Sequence, residues 1–523
     1  MLKKDEKRNN YNAVINVESQ KLSALWKSAL IGIGVGLITT AYRFTLMKAE
    51  SYSHSIYDFF RDRPMYLPLV FIGLAAAGYF VGFLVDRCKM ISGSGVPQVK
   101  GTILGYFTPD WLKTLAGKFV GGAIAILAGL SLGREGPSIQ LGASIAQGMG
   151  DYIGSSRTER KVLIASGGGA GLAAAFNAPL AGVMFAMEEI FKYFSPVVLL
   201  SAMVSAVIAD FISKTAFGTN PVFHFELQSL IPLRGYWLLV LLGAVLGVSG
   251  AFYNYVLIGW QQFYKKISWL NTRTMPIIPF LLAGVMGLIF PVVLGGGHTL
   301  IDQLTDTAPL GGLILLLGVK FLFSTISFGS GAPGGIFFPL LVMGATIGAI
   351  FGNIAIHLGY DSVLFYNFVV LAMAGYFTAI VRAPITGTIL LVEMTGTFTH
   401  LLSLAIVSIS AYVLADLLKS APVYDTMLDN MVVEHDLEMD ESAKSKKIII
   451  NTIIHHGAPC DGKMLKDVGF PRNCLVISIK RGEHEMIPKG DSVLMSGDEL
   501  KFLANLCDEV PLRIALGEMT ANE

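Results

Sequence analysis

The sequence is poor in charge and in cysteine for its length. Only 15% of its 523 residues are charged, compared with about 25% in a soluble protein, and 53% are hydrophobic. This composition excludes an ordinary soluble protein and indicates an integral membrane protein. The four cysteines show no CxxC or metal-ligand spacing, so we expect neither a disulfide framework nor a structural metal site.

Other absences narrow the function classes. The net charge of +1 gives no sign of a nucleic-acid partner. The apolar region contains no Ser/His dyad, no HExxH motif and no paired aspartates, which argues against an intramembrane enzyme. A filter of the TVGYG type is also missing, which argues against a potassium channel.

The apolar residues are concentrated in one long region of the chain. Apolar runs follow one another from about residue 25 to residue 418, and the composition becomes charged at about residue 431. We predict an N-terminal segment, a transmembrane domain, a linker and a small soluble α+β domain: 1–22, 23–430, 431–446 and 447–523. Basic residues near the N-terminus, without a signal peptide, predict that this terminus is cytoplasmic.

The apolar runs differ in length. Residues 161–190 are predicted as one continuous apolar run. Other runs are glycine-rich or shorter than the ~20 residues of a full crossing: 115–132, 138–148, 335–356 and 384–396. Interrupted helices of this kind build binding sites in transporters, although helix packing also enriches small residues. We therefore predict an all-α membrane fold with broken helices.

An internal repeat relates two halves of the transmembrane domain. The stretch Ala178–Gly182 (APLAG) is echoed by Ala383–Gly387 (APITG) at an offset of 205 residues, and Glu188 and Glu393 follow at the same offset. Transporter halves of this kind commonly have inverted topology, with the site at their interface near mid-membrane. We predict two such halves: about 30–215 and 230–418.

A charged stretch, Gly133-Arg134-Glu135-Gly136-Pro137, interrupts the apolar region. Ionisable residues at membrane depth are costly and usually line a functional path. Glycine and proline leave backbone amides free at the start of the next helix, where the helix dipole favours an anion. An Arg134–Glu135 ion pair is the alternative interpretation, but adjacent residues rarely face each other. The stretch predicts an anion pathway with an ionisable gate.

Further stretches offer hydroxyl or amide donors without a full positive charge: Gly93-Ser94-Gly95-Val96-Pro97, Gly334–Pro339 (GGIFFP) and Tyr424. Such donors suit a pore, because the ion must also be released. GSGVP, GREGPSIQ and GGIFFP, in this order, resemble the signature sequences of the CLC family of chloride channels and chloride/proton antiporters. The resemblance covers about residues 30–430 and implies the CLC fold.

The resemblance implies an anion-binding role for several residues. The hydroxyl groups of Ser94 and Tyr424 would coordinate a central chloride ion. The backbone amides of Ile336 and Phe337 would bind the same ion. The serine in GSGVP points to chloride as the preferred anion.

The GREGP stretch would contribute an outer site and a gate. The backbone amides around Arg134 and Gly136 would bind a second anion. Glu135 would be the gating glutamate, because its carboxylate can occupy the outer site until a proton neutralises it.

Glu189, in AGVMFAMEEIF, matches the family's intracellular proton-transfer glutamate, which its channel members usually lack. Its presence favours proton-coupled exchange, whereas a Glu189 that only solvates a helix end is the alternative. Gln98 and Lys100 replace acids of many bacterial antiporters, and a lysine near Glu189 would alter the electrostatics of the inner proton route. Lys118 matches a buried lysine of the family and is expected to offset acidic charge nearby.

The soluble domain resembles the RCK C-terminal (TrkA-C) regulatory domain over residues 462–503. Such domains pair and bind a small ligand, and cyclic di-AMP is the candidate that the resemblance implies. Arg472, Asn473 and His484 are the candidate contacts. The alternative is that they are solvated turn and strand residues.

The expected function is chloride transport by proton-coupled exchange. The protein would be a homodimeric secondary transporter, not an enzyme, with chloride and protons as substrates and membrane lipid around it. We expect a bacterial plasma membrane, cytoplasmic termini, no metal and no cofactor apart from the regulatory nucleotide. The alternatives are a gated chloride channel of the same fold and, from the regulatory domain alone, a component of a potassium transport system.

Overall fold

The fold is given by a computed structural model. It describes residues 2–192, 194–223, 225, 230–438, 447–455, 457–481, 484–505 and 509–520. The chain forms two compact units, Met1–Met427 and Leu428–Glu523. Most of the predicted linker, residues 439–446, lies outside the described residues.

The first unit is helical throughout its regular structure in the described ranges. The helices of its first half are α1 (Leu2–Arg61), α2 (Leu67–Arg87), α3 (Val96–Leu104), α4 (Trp111–Leu127), α5 (Glu135–Tyr152), α6 (Arg157–Phe176), α7 (Pro179–Phe185) and α8 (Pro196–Phe217). The second half contains α9 (Tyr236–Lys266), α10 (Ile277–Ile289), α11 (His298–Asp302), α12 (Leu310–Gly329), α13 (Phe337–His357), α14 (Phe365–Val381), α15 (Pro384–Thr395) and α16 (Leu401–Leu417). Helix α17 (Val423–Glu438) follows both halves.

Within the described residues, 7 helical segments are long and apolar enough to cross a membrane: Ser23–Arg61, Pro64–Arg87, Pro196–Phe217, Leu233–Lys266, Leu310–Gly329, Phe337–His357 and Ser362–Val381. Shorter apolar helices lie between them, including α10, α15 and α16. The chain is therefore an integral membrane protein, and the predicted mixture of full and broken helices is confirmed.

The backbone at the helix breaks repeats between the two halves. Gly93 and Gly295 both have a φ of 59°, and Gly95 and Gly297 have φ values of 102° and 96°. Glycine adopts these left-handed values readily because it has no Cβ. Gly95 leads directly into α3, and Gly297 leads directly into α11.

Two buried lysines brace these breaks in the same way. Lys118 Nζ donates to the carbonyl oxygens of Ile91 (2.9 Å) and Gly93 (2.5 Å). Lys320 Nζ donates to the carbonyls of Val293 (2.8 Å) and Gly295 (2.9 Å). Lys118 was expected to offset an acid, but its ammonium group instead satisfies carbonyl groups that the helix break leaves exposed.

Two glutamates cap helices across the repeat. The Glu188 carboxylate accepts hydrogen bonds from the amides of Ile385 (3.1 Å) and Thr386 (2.7 Å), at the N-terminus of α15. Glu393 does the same for α7, accepting from the amides of Leu180 (3.1 Å) and Ala181 (2.8 Å). Each half therefore supplies the acidic cap for a short helix of the other half, where free amides and the helix dipole favour a carboxylate.

Two predicted segments differ from the structure. The run 161–190 is not continuous, because α6 ends at Phe176, the next residue Asn177 has a φ of 56°, and Pro179 then begins α7. Proline is favoured in a first helical turn and disfavoured inside a helix, which places the break here. The segment 335–356 was expected to be interrupted, but it contains the 21-residue helix α13.

The glycine residues of α5 and α6 allow these helices to touch. A Cβ on Gly142 would lie 2.1 Å from the carbonyl oxygen of Gly167, and a Cβ on Gly171 would lie 2.2 Å from that of Ser138. Backbone contact of this kind is typical of packed membrane helices, where small residues replace hydrophobic side chains at the interface. The contact fixes the start of α5 against the rest of the first half.

The second unit contains a four-stranded antiparallel sheet in the order β1-β4-β2-β3. Its strands are β1 (Lys447–Ile453), β2 (Cys474–Arg481), β3 (His484–Met486) and β4 (Glu499–Asn505). The predicted α+β character is confirmed. Between β1 and β2 the chain forms a single 3-10 turn, Leu465–Asp467.

The last helix, α18 (Glu509–Thr520), was missed from the sequence. Its Leu512 and Leu516 are buried in the same core as Ile450, Ile479 and Phe502. The two leucines at a spacing of four place one apolar face on the sheet. Residues 506–508, which precede this helix, are outside the described part of the chain.

Candidate functional site

The candidate site lies where the loops before α3, α5 and α13 meet. Gly133 and Gly335 exchange backbone hydrogen bonds, with N···O distances of 2.6 and 2.7 Å. The Gly93 amide donates to the Gly331 carbonyl (3.2 Å), and the Gly334 amide donates to the Gly93 carbonyl (3.0 Å). These bonds connect the predicted GSGVP, GREGP and GGIFFP stretches across the two repeats.

Glycine is required where these loops touch. A Cβ on Gly136 would lie 2.4 Å from Ser94 Oγ and 3.2 Å from the Cα of Gly335. The Ser94 hydroxyl therefore lies directly beside the first turn of α5. The structure thus brings Ser94 and Gly136 together, as the sequence motifs suggested, at a spacing that leaves no room for a side chain at position 136.

Two hydroxyl groups at this centre are buried without a completed hydrogen bond. Ser94 is 2% exposed and Tyr424 is 0% exposed. By hydrogen-bond geometry, neither Ser94 Oγ nor Tyr424 Oη has a partner among the described residues, although the two hydroxyls lie close enough for a weak hydrogen bond between them. A buried hydroxyl without a partner costs about 1–3 kcal/mol, so this pair is suited to receive a ligand that accepts hydrogen bonds.

The first turns of α5 and α13 supply amides to the same region. Their N-cap residues, Arg134 and Ile336, make no side-chain capping bond. The first amides of a helix have no partner within the helix, and the helix dipole adds a partial positive charge there. Ile336 and Phe337 are both 0% exposed, so these amides are shielded from bulk solvent.

Glu135 is the first residue of α5 and is 0% exposed. Its carboxylate lies near the backbone amide of Phe338, at the N-terminus of α13, but neither carboxylate oxygen makes a hydrogen bond of ordinary geometry among the described residues. Arg134 Nε lies 3.8 Å from Glu135 Oε1, without a hydrogen bond that meets ordinary geometry. The expectation that these neighbours point apart was therefore wrong: they approach, but at a distance that leaves the carboxylate free of a tight ion pair.

Aromatic rings pack against the Phe337 ring beside this centre. The Phe337 ring lies against Phe377, Phe176 and Phe185, with ring centroids 4.4, 5.1 and 6.2 Å apart. These buried rings form an apolar wall that excludes water and strengthens the electrostatic interactions inside.

A second polar group surrounds Glu189. This residue lies in a π-helical turn, Ala186–Phe191, and is 2% exposed. Lys100 Nζ, 3% exposed, lies 2.7 Å from Glu189 Oε1 and also contacts Oδ1 of Asp425. Lys192 contacts the other carboxylate oxygen of Asp425. The predicted proximity of Lys100 and Glu189 is confirmed, and a Glu189 that only solvates a helix end does not fit its burial.

The adjacent acids Glu188 and Glu189 therefore point to different partners, α15 and Lys100 respectively. Gln98, the other departure from the family pattern, lies in α3 and donates to the Ser92 carbonyl at 2.6 Å. Gln98 thus braces the loop before Ser94.

Asp425 was missed from the sequence. It directly follows Tyr424, which the sequence had indicated as a candidate site residue. Its partner Lys100, however, lies 325 residues earlier in the chain. An acid beside a candidate site tyrosine at a helix start was the available signal. Nothing local indicated that its carboxylate would share a buried lysine with Glu189.

The candidate ligand residues of the soluble domain lie near β2 and β3. Arg472 and Asn473 are exposed in the turn that precedes β2. His484 begins β3, and its side chain is outside what the structure describes. Arg481 forms a bidentate pair with buried Asp498 in the same unit, with both N···O distances 2.7 Å.

The fold and site define a membrane protein of two repeats, whose broken helices direct their N-termini at one polar centre. The model of the voltage gated chloride channel family matches residues 77–416, and that of the TrkA-C domain matches residues 453–506. The chain belongs to the voltage gated chloride channel family.

Relatives of known name cover the transmembrane unit. The H(+)/Cl(-) exchange transporter ClcA of Vibrio cholerae serotype O1 is 33% identical over 447 residues, which cover 82% of this chain and 94% of that protein. ClcA of Klebsiella pneumoniae is 33% identical over 452 residues, covering 82% and 93%.

Solved structures show the same fold. A slow cyanobacterial Cl−/H+ antiporter aligns with a TM-score of 0.74 and 27% identity, over 79% of this chain and 98% of that one. A eukaryotic CLC transporter aligns with a TM-score of 0.67 and 21% identity, over 84% and 77%, and supports the fold alone. The predicted family and fold are confirmed.

Proposed function

We propose that this protein exchanges chloride for protons across a membrane. The single observation that carries the proposal is the pair of buried, unpartnered hydroxyls of Ser94 and Tyr424 beside two uncapped helix N-termini. The relatives named as H(+)/Cl(-) exchange transporters support the same activity.

The chemistry of the site suits a transported anion. The hydroxyls of Ser94 and Tyr424 and the amides of Ile336 and Phe337 donate hydrogen bonds without a full positive charge. Such donors replace part of the hydration shell of chloride and still allow the ion to leave. Amides around Arg134 and Gly136 provide an outer position, with the Arg134 guanidinium 13% exposed at its edge.

Glu135 acts as the gate in this proposal. Its carboxylate lies among the same amide groups that would hold the outer anion, so the carboxylate and chloride compete for one place. Protonation removes the charge of the carboxylate, releases it from the amides and opens the outer position. Chloride movement and proton movement are thereby joined at one side chain.

Glu189 supplies the proton from the other side. It is buried, ionisable and separate from the hydroxyl pair, yet it interacts electrostatically with Tyr424. A buried acid in this position can take a proton at the inner end of the route and pass it toward Glu135.

A gated chloride channel of the same fold is the second candidate, and flux measurements distinguish the two. Purified protein in sealed vesicles is given a chloride gradient, and internal pH is followed. Uphill proton movement is expected from an exchanger. A chloride flux that moves no protons would instead identify a channel.

Two glutamate variants test the roles. Glu189→Gln is expected to abolish uphill proton movement while chloride flux remains. Glu188→Gln is the matched control, because the same change one residue earlier removes charge from a helix cap and should leave proton movement in place. If Glu189→Gln pumps protons like the unaltered protein, the role of Glu189 is wrong. Glu135→Ala is expected to make chloride flux independent of pH and to end coupling.

The soluble unit is proposed to regulate transport as one half of a pair in a homodimer, on the cytoplasmic side of a bacterial plasma membrane. Arg472, Asn473 and His484 are the proposed contacts for a small nucleotide such as cyclic di-AMP. Calorimetric titration of the full protein with cyclic di-AMP tests this, with Arg472→Ala expected to weaken binding. If the titration shows no heat of binding, cyclic di-AMP is not the ligand of this unit.

A further inference from the structure

Four charged side chains of the transmembrane unit form a continuous group. We call this group the charge cluster: Glu189, Lys100, Asp425 and Lys192. Lys100 contacts both acids, and Lys192 contacts Asp425. The exposed fractions of Glu189 and Lys100 are 2% and 3%, whereas those of Asp425 and Lys192 are 29% and 46%. The cluster therefore leads from a buried acid to the solvent.

The cluster joins separate elements and is electrically balanced. Lys100 lies in α3, Glu189 lies in the π-helical turn, Lys192 caps that turn, and Asp425 lies in the first turn of α17. Two acids and two lysines give a net charge of zero when all are ionised. Tyr424, the residue before Asp425, is close enough to Glu189 for its hydroxyl to feel the Glu189 charge. Balance matters because a buried charge without a partner is strongly unfavourable.

Glu189 and Asp425 compete for one ammonium group. Lys100 is too deeply buried to find solvent as an alternative partner, so its attraction is divided between the two carboxylates. When Asp425 engages Lys100, less of that attraction holds Glu189 in its charged form. When Asp425 does not, the whole ammonium charge stabilises the Glu189 carboxylate.

We propose that Asp425 is a positioning residue for proton transfer, which frees Glu189 to accept a proton by sharing Lys100. The inference rests on the proposed exchange function and deepens it. Asp425 does not need to carry the proton itself. Its carboxylate holds the Lys100 ammonium at a point between the two acids, beside the tyrosine that faces the anion site.

The prediction for single variants follows from the charge of the cluster. Asp425→Asn leaves the cluster with one net positive charge, which holds Glu189 as a carboxylate and slows proton transfer. Lys100→Gln leaves one net negative charge and does not trap Glu189 in this way. In the double variant Asp425→Asn with Lys100→Gln, the net charge of the cluster is zero again. Its ratio of proton to chloride movement should therefore recover.

The experiment measures chloride efflux and uphill proton uptake in the same vesicles, with the full-length protein. For Asp425→Asn we expect the ratio of proton to chloride movement to fall about tenfold, the effect of one unit of proton affinity. Asp425→Glu should keep the ratio near that of the unaltered protein. The double variant should return within about twofold of it, since the charge is rebalanced.

A matched control comes from another ion-paired aspartate of similar exposure. Asp86 is 31% exposed and lies 2.7 Å from Arg273 Nε, away from the cluster. Asp86→Asn should leave the ratio unchanged. Asp425→Ser repeats the loss of charge with a smaller side chain, in case Asp425→Asn folds poorly on size-exclusion chromatography.

The outcomes separate this inference from the proposed function. If Glu189→Gln still pumps protons, the exchange role of Glu189 fails and this inference fails with it. If Glu189→Gln stops pumping but both charge-removing variants at position 425 keep the normal ratio, only the inference is overturned. A double variant that remains as impaired as Asp425→Asn would show that packing, and not charge, is responsible, which also overturns it.

Discussion

Replacing Gly136 with alanine should perturb the proposed anion site without removing any polar atom. The added Cβ would lie 2.4 Å from Ser94 Oγ and 2.8 Å from the Ser94 carbonyl oxygen. Carbon and oxygen atoms do not approach this closely, so the hydroxyl must move away. The Ser94 backbone cannot relax easily, because the Gly93 amide and carbonyl are bonded to the loop before α13.

The expected magnitude is the loss of one hydrogen bond to an anion. Hydrogen bonds to charged groups contribute about 1.5–3 kcal/mol. Chloride affinity should therefore fall by about ten- to 150-fold, since about 1.4 kcal/mol corresponds to a factor of ten. Calorimetric titration of the purified protein with chloride measures this change directly.

The matched control is Gly73→Ala in α2, where a Cβ would meet no atom within 4 Å. Ser94→Ala provides a second comparison, because it removes the hydroxyl itself. If Gly136→Ala acts by displacing that hydroxyl, the two changes together should weaken binding little more than either alone. Unchanged chloride affinity in Gly136→Ala, with a large loss in Ser94→Ala, would refute the reasoning.

Three further variants test the framework around the site. Glu393→Ala removes two charge-assisted hydrogen bonds from the start of α7 and should lower the free energy of unfolding by about 2–4 kcal/mol. Glu393→Gln should lower it less. Thermal unfolding in detergent measures the stability of both variants. Lys320→Met should be destabilising by about 2–4 kcal/mol, because it leaves two buried carbonyls unpaired; equal stability to the unaltered protein would contradict its bracing role. Arg481→Met leaves the Asp498 carboxylate, 1% exposed, without its ion-pair partner. The thermal unfolding midpoint of the second unit should therefore fall, and Arg481→Lys should recover part of that loss.

The short motifs could be predicted because their chemistry is local. Glycine and proline break helices wherever they occur in these combinations, so GSGVP, GREGP and GGIFFP indicated helix starts before any contact was known. The repeat of APLAG as APITG likewise predicted two related halves from the sequence alone. The α+β character of the second unit was predicted from the sequence, whereas its last helix, α18, was missed.

The tertiary structure decided which of these local features meet. Glu188 and Glu393 were visible as a repeat, but their reciprocal capping depends on contacts about 200 residues apart in sequence. Lys118 was expected to offset acidic charge because it matches a buried lysine of the family, yet a helix break supplied carbonyl oxygens instead. Such choices depend on distances that composition and spacing do not specify.

The sequence by itself determined a membrane protein of two repeats, with hydroxyls, amides and two glutamates suited to chloride and proton movement. Only the tertiary structure decided that Asp425 shares Lys100 with Glu189, across 325 residues of chain. The physical reason is that a buried charge takes whichever partner the fold brings within reach. Helix-breaking residues act on their own neighbours, whereas a buried ion pair is selected by the whole packed structure.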